Sequence, residues 1–275
     1  MGIVLSDKTN ISVMSGNCMA YPLLISLANI NLDIHLKILM HTYLLLSLLL
    51  IPKFTHKNSR IRSLLHDRLI HQALTMVLEL LKTAACVGIM MNDPVGNLWY
   101  CFTPLAAYIV DTPELSLMAC TNPKASPFTT VTSKHFGDSF LHPPCTGLHT
   151  LAVIRRTCND CPPNDYAAFL KVIKKLQLNR VVEPFWEGWP LSCPSCFFHP
   201  KSLHHFLHFS WDHDVKWCVE VVTPLEIDFC FLLLQPAVGY HGFEDGISKL
   251  KQVTGHDHRS IQCYIIGVIA GAVPH

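Results

Sequence analysis

Charge is what this chain is short of. Only 15% of its 275 residues are Asp, Glu, Lys or Arg, against roughly 25% in an average soluble domain. Half are hydrophobic, and the mean hydropathy is +0.30. That excludes disorder as the dominant state, because disordered chains are poor in apolar residues. Neither sign is in excess: 21 Lys plus Arg face 20 Asp plus Glu, so no basic surplus advertises a phosphate-backbone partner. There is no Gly-rich phosphate loop and no Gly-x-Ser-x-Gly turn, which removes P-loop and α/β-hydrolase chemistry.

Long apolar runs are missing too. The strongest, Ile38 to Ile51, has 14 residues and contains His41, whereas a membrane helix takes about 20; it reads as a buried core helix. The start, MGIVLSDKTN, lacks the basic and apolar regions of a secretory signal, which makes disulfides unexpected. MGIVLS formally fits the loose N-myristoylation pattern, but a buried strand is the preferred reading.

What the chain has in quantity is Cys, 12, and His, 17. Two Cys-x-x-Cys pairs, Cys158/Cys161 and Cys193/Cys196, are separated by 31 residues, more than the 15 to 20 typical of a four-cysteine zinc ribbon. Zinc would need closure by four thiolates or imidazoles; unpaired thiols are the preferred reading. In the segment 197–218, His204 and His208 lie four apart, with Asp212 one helical turn further. A His, His, Asp metal face is geometrically possible there. Without the general-base Glu of a His-Glu-x-x-His pattern, a packed polar layer including His205 and the tryptophans is preferred.

Periodicity organises the rest. Residues 2–5 and 22–30 read as strands around a turn, and His35 to about Leu50 and Arg60 to Lys82 read as helices. Residues 87–111 read as a second hairpin ending at Asp111. The Pro, Ser and Thr-rich stretch 121–165 reads as irregular, and 165–181 as an amphipathic helix capped by Asp165. Beyond it the chain is expected to be mostly helical. The expected core includes Ile3, Val4, Leu24, Ile25, Leu45, Leu46, Leu105 and Ile109.

Two acids stand at strand ends: Asp7 directly after GIVLS and Asp111 directly after LAAYIV. Two carboxylates on neighbouring strands can converge on divalent metals, as in two-metal phosphoryl transfer. The plainer alternative is that each forms a turn or a cap.

Several long blocks, SDKTNISVMSGNCMAYPLLISLANI, TPLAAYIVDTPE, VVEPFWEGWPLSCPSCFFHPKSLHHFLHFSWDHDVKWC and GISKLKQVTGHDHRSIQCYIIGVIAGAVP, resemble the Plavaka transposases of basidiomycete fungi, cut-and-paste elements related to the CACTA group. The resemblance covers nearly the whole chain. It implies an α/β fold: an incomplete RNase H-like mixed-sheet core over residues 1–120, an irregular connection over 121–164, and a mainly helical insertion and C-terminal region over 165–275. It also implies an Asp, Asp, Glu/Asp triad working with Mg²⁺ or Mn²⁺ on the DNA of transposon ends, in the nucleus and without a membrane. Carried over by position, Asp7 is the first acid and Asp111 the second; Asp257 is the first choice for the third and Glu244 the second choice.

Departures accompany the matches. The family has Arg where this chain has Cys145, His208, Cys230, His241, His256 and Cys263, and His where it has Leu207. Deamination of methylated CGN codons produces such changes, so the Cys and His excess fits mutational decay. TGN and CAN codons are expected there, and an ordinary codon mixture would refute it. By the family's measure the chain also lacks an amino-terminal zinc and DNA-binding region and further helices beyond its end, so negligible transposition activity is expected. The alternative expectation is a non-enzymatic DNA-binding or interaction module, stabilised by zinc if the Cys and His clusters bind it.

Overall fold

The computed structural model describes residues 2–10, 19–35, 37–200, 206–235, 237–239, 241–251 and 253–270. The chain divides into two compact units, residues 1–199 and 200–275. The boundary thus falls after His199, and residues 121–164 pack within the first unit rather than linking two parts.

In chain order the first unit contains β1 (Gly2–Ser6), β2 (Thr9–Asn10), β3 (Met19–Leu27), α1 (Leu32–His35), β4 (Leu44–Leu50), α2 (Ser59–Val87), β5 (Ile89–Asn92) and β6 (Leu98–Cys101). These are followed by β7 (Leu105–Val110), α3 (Thr112–Met118), α4 (Gly147–Asp160), α5 (Tyr166–Lys175) and α6 (Pro194–Phe197), with β8 (Phe198–Pro200) at the boundary. All the strands except β5 and β6 form one mixed sheet of six. Central β1 is antiparallel to β3 and parallel to β7, with Val4 opposite Tyr108 and Leu5 opposite Ile109. β4 adds to β3, and β8 lies beyond β7.

The long helix α2 follows from its sequence. Asn58 caps it by accepting from the Arg60 N–H, Leu64, Ile70, Leu74 and Leu78 form its buried stripe, and Gly88 ends it at φ 75°. A Cβ at Gly88 would run into the Tyr100 ring, so only glycine serves there. By length and composition α2 could cross a membrane, but that stripe belongs to the core of the first unit, with Val4, Leu23, Tyr108, Phe185 and Trp186. α5 begins as expected, with Asp165 accepting from the Ala168 N–H.

Several expectations are corrected. The expected helix from His35 to Leu50 is a short 3₁₀ turn, Ile38–Met40, followed by strand β4. LLLSLLL carries no helical period, and β3 offers it a full antiparallel partner from Ala20 to Ile25. The hairpin expected over 87–111 stops at Cys101. β5 and β6 pair only with each other, while Thr103 and Pro104 break the run so that β7 joins the main sheet. The stretch expected to be irregular carries α4, capped by Thr146. Of the expected core, Val4 and Leu105 are buried and Ile3, Leu24, Ile25 and Ile109 half-buried. Leu45 and Leu46 are 57% and 39% exposed; they point to opposite faces of β4, which among the described residues pairs only with β3, so this end of the strand is left uncovered on both faces.

The second unit is helical: α7 (His208–Ser210) runs through a five-residue π-turn, Trp211–Val215, into α8 (Lys216–Val222), followed by α9 (Pro224–Leu233) and α10 (Gly255–Ile269). Trp211, Val215, Ile227, Phe231, Phe243, Ile247, Ile261 and Ile265 form its core. Asp228 anchors the turn before α10 by accepting from the N–H groups of Ile247 and Ser248, both at 2.8 Å.

Candidate functional site

The parallel register of β1 and β7 decides where the two strand-end acids sit. Leu5 opposite Ile109 is the last aligned pair, and continuing that register by two residues sets Asp7 opposite Asp111. Successive residues of a strand alternate faces, so Val4 and Val110 are buried while both acids are half-buried at the sheet's edge.

Asp111 also caps α3: its Oδ1 accepts from the Glu114 N–H at 3.0 Å. Its Oδ2 accepts no hydrogen bond among the described residues. The plain reading of Asp111 as a cap is therefore correct, and one carboxylate oxygen remains over. Sequence reasoning missed the support behind these acids. Tyr108 OH donates to Ser6 Oγ at 3.4 Å, and Ser6 Oγ donates to Glu114 Oε2 at 3.3 Å. All three are buried, and the chain of bonds ties the residue before Asp7 to the first turn of α3. Burial, with Glu114 and Tyr21 nearby, pushes the Tyr108 phenol up and keeps it a donor. Burial does the same to Tyr21 on β3, helped by the charges of Glu114, Asp111 and Asp67. The signal for Glu114 was present in the TPE that follows Asp111.

The aromatic segment 179–189 locks the other end of α3. Asn179 Nδ2 and His71 Nε2 both donate to Leu117 O, at 2.8 and 3.1 Å. The Phe185 N–H donates to His71 Nδ1 at 3.1 Å, and Trp186 Nε1 donates to Met118 O at 2.9 Å. Both ring nitrogens of the fully buried His71 are thus used in its neutral form, and burial lowers its pKa from 6.5 to about 4.

Most of the other expected site residues have local partners within their own unit. Asp257 sits in the second unit, in the capping box of α10. Its Oδ2 accepts from the N–H and hydroxyl of Thr254, and its Oδ1 is 2.6 Å from His241 Nδ1. Glu244 is exposed in the turn before α10. His204 and His205 fall outside the described residues. His208 does face Asp212 at 3.1 Å, but Lys216 Nζ is on the other Asp212 oxygen at 2.6 Å. Trp211 is buried against His258. Cys158 lies in the last turn of α4, Cys161 is that helix's C-cap and Cys193 is the N-cap of α6. Among the described residues, no group of three or more His, Cys, Asp or Glu side chains is arranged to hold a metal.

The family model described as Plavaka transposase matches residues 2–218, more than half of the chain and all of the acid edge. No curated protein and no solved structure matches. The chain, with its acid-tipped mixed sheet and the aromatic segment that locks α3, belongs to the Plavaka transposase family.

Proposed function

We propose that the first unit is the catalytic-core portion of a DDE-type DNA transposase with an RNase H-like sheet, acting in the nucleus on the ends of its own element. The observation that supports this reading is the parallel register of β1 and β7, aligned as far as Leu5 opposite Ile109; extended two residues past the strands, it would bring Asp7 opposite Asp111. Two oxygen-donor carboxylates suit Mg²⁺, which proteins bind through one or two carboxylates together with substrate phosphates. Asp7 and Asp111 would hold it. When bound, it supplies activation of a water or hydroxyl nucleophile and stabilisation of the leaving oxygen at the phosphodiester. The chain's part is positional. The bond from Tyr108 through Ser6 to Glu114 fixes the approach of β1, and the Glu114 N–H orients Asp111 from α3.

A second reading, a DNA-binding module without catalysis, is favoured by the acid inventory. One oxygen of Asp257 is engaged in the cap of α10 and the other by His241, and among the described residues of the first unit no group of three metal-ligating side chains is assembled. Cleavage by this chain alone is expected to be negligible, in keeping with the proposed decay of Arg positions to Cys and His.

Mn²⁺ binding by the full chain, followed by electron paramagnetic resonance, separates the two readings. The comparison is with the Asp7→Asn/Asp111→Asn variant, in which Asn preserves the α3 cap. Loss of binding in the variant supports the catalytic-core reading. A folded wild-type chain that binds no Mn²⁺ overturns it in favour of the module.

A further inference from the structure

Two clefts on the first unit share one guanidinium. The larger, about 410 Å³, is lined by Lys53, Arg62, Ser63, His66, Asp67 and Arg180, among others. The smaller, about 230 Å³, is lined by Arg60, Asn122, Lys174, Asn179 and, again, Arg180. Five of the chain's 21 Lys and Arg residues therefore gather here. The single carboxylate in the two linings, Asp67, is already engaged by Arg180 NH1 at 2.7 Å. Lys53, Arg60 and Lys174 form no ion pair among the described residues, so the cationic surplus is uncompensated in a chain of net charge +1.

Arg180 is held before any ligand arrives. Asp67 is buried on α2, and the Arg180 carbonyl accepts from Arg68 Nε at 3.0 Å. Arg68 is itself stacked over Tyr166 and Phe169. A guanidinium fixed in this way loses little freedom on binding, and its planar fork suits phosphate oxygens. One small anion would fill one cleft. Two cation-lined clefts joined at a shared arginine fit a ligand with repeated phosphates.

The position agrees. The His66 and Tyr21 rings are 6.5 Å apart, and Tyr21 lies within electrostatic reach of Asp111 and Glu114, so the larger cleft neighbours the acid edge. We propose that this twin cleft seats the phosphodiester backbone of duplex DNA, with Arg180 shared between phosphates in the two clefts. The choice of DNA rests on the transposase reading above; the cation geometry does not.

The test is fluorescence anisotropy of the full chain with a short DNA duplex of arbitrary sequence, in EDTA, over a salt series. Arg60→Ala/Lys174→Ala removes two exposed cations, and circular dichroism checks that the fold is kept. Affinity is expected to fall about tenfold, with a salt slope shallower by about one to two. Arg155→Ala/Arg156→Ala on α4 removes the same charge elsewhere and is expected to change affinity far less. Equal loss in both variants, or none in the first, overturns the proposal, as does a clear preference for duplex RNA. Because metal is absent, a failure here is distinct from a failure of the Mn²⁺ measurement. Cleft-dependent DNA binding without Mn²⁺ binding keeps the twin cleft and removes only the catalysis.

Discussion

One carboxylate of the first unit, Asp111, is used differently from two of the second unit, Asp228 and Asp257. In the second, burial would raise the Asp228 carboxyl, but hydrogen bonds from the Ser248 side chain and the backbone of Ser248 and Ile247 hold it below its ordinary value. Asp257 is governed in the same way, with Thr254 and His241 outweighing burial. These acids are saturated by protein donors and hold turns and caps. In the first unit Asp111 gives one oxygen to a cap and keeps the other. The contrast teaches that a carboxylate's remaining lone pairs, rather than its mere presence in a suggestive motif, decide what it can still bind.

The sharpest break in that contrast comes from the aromatic lock behind the acid edge. Trp186→Ala removes a buried indole and its bond to Met118, and is expected to cost about 3–5 kcal/mol. A urea midpoint equivalent to less than about 1 kcal/mol of loss would show that α3 is held some other way. Acid gives the next largest effect. Unfolded His71 titrates near 6.5 and folded His71 near 4, so between these values the unfolded state binds the extra proton. His71 therefore costs nothing above about pH 6.5, and stability falls as pH drops toward 4, by roughly 3 kcal/mol. His71→Leu should show a flatter urea midpoint from pH 7 to 4 than the wild-type chain, and parallel profiles would refute the assignment. The smallest effect sharpens the comparison most. Asp257→Ala should cost about 1 kcal/mol through the lost cap and leave Mn²⁺ binding unchanged, whereas loss of Mn²⁺ binding would return Asp257 to the acid group.

Local features of this fold were legible because they are written locally. α2 showed its stripe at helical spacing, Asp165 announced α5, and the two acids followed recognisable strands. Thr254 and Asp257, three apart, carry the spacing of a capping box. The illegible parts depend on distant partners. β1 and β7 are about a hundred residues apart, and nothing within either strand states that they pair in parallel. Leu44 to Leu50 is compatible with a core helix or a strand until β3 selects one. Glu114 is an ordinary third helical residue until Ser6 reaches it across the sheet.

β4 carries a last, practical consequence. It pairs with β3 on one side, and among the described residues no strand covers the other. Leu44, Leu45, Leu46 and Leu48 are exposed, and neither proline nor charge interrupts the run. An uncharged apolar edge of this kind recruits other chains into cross-β stacks. Recovery of soluble protein is therefore expected to depend on the four exposed leucines of this edge. A lysine in place of Leu45, far along the chain from both acids, is the gatekeeper that would keep the chain in solution.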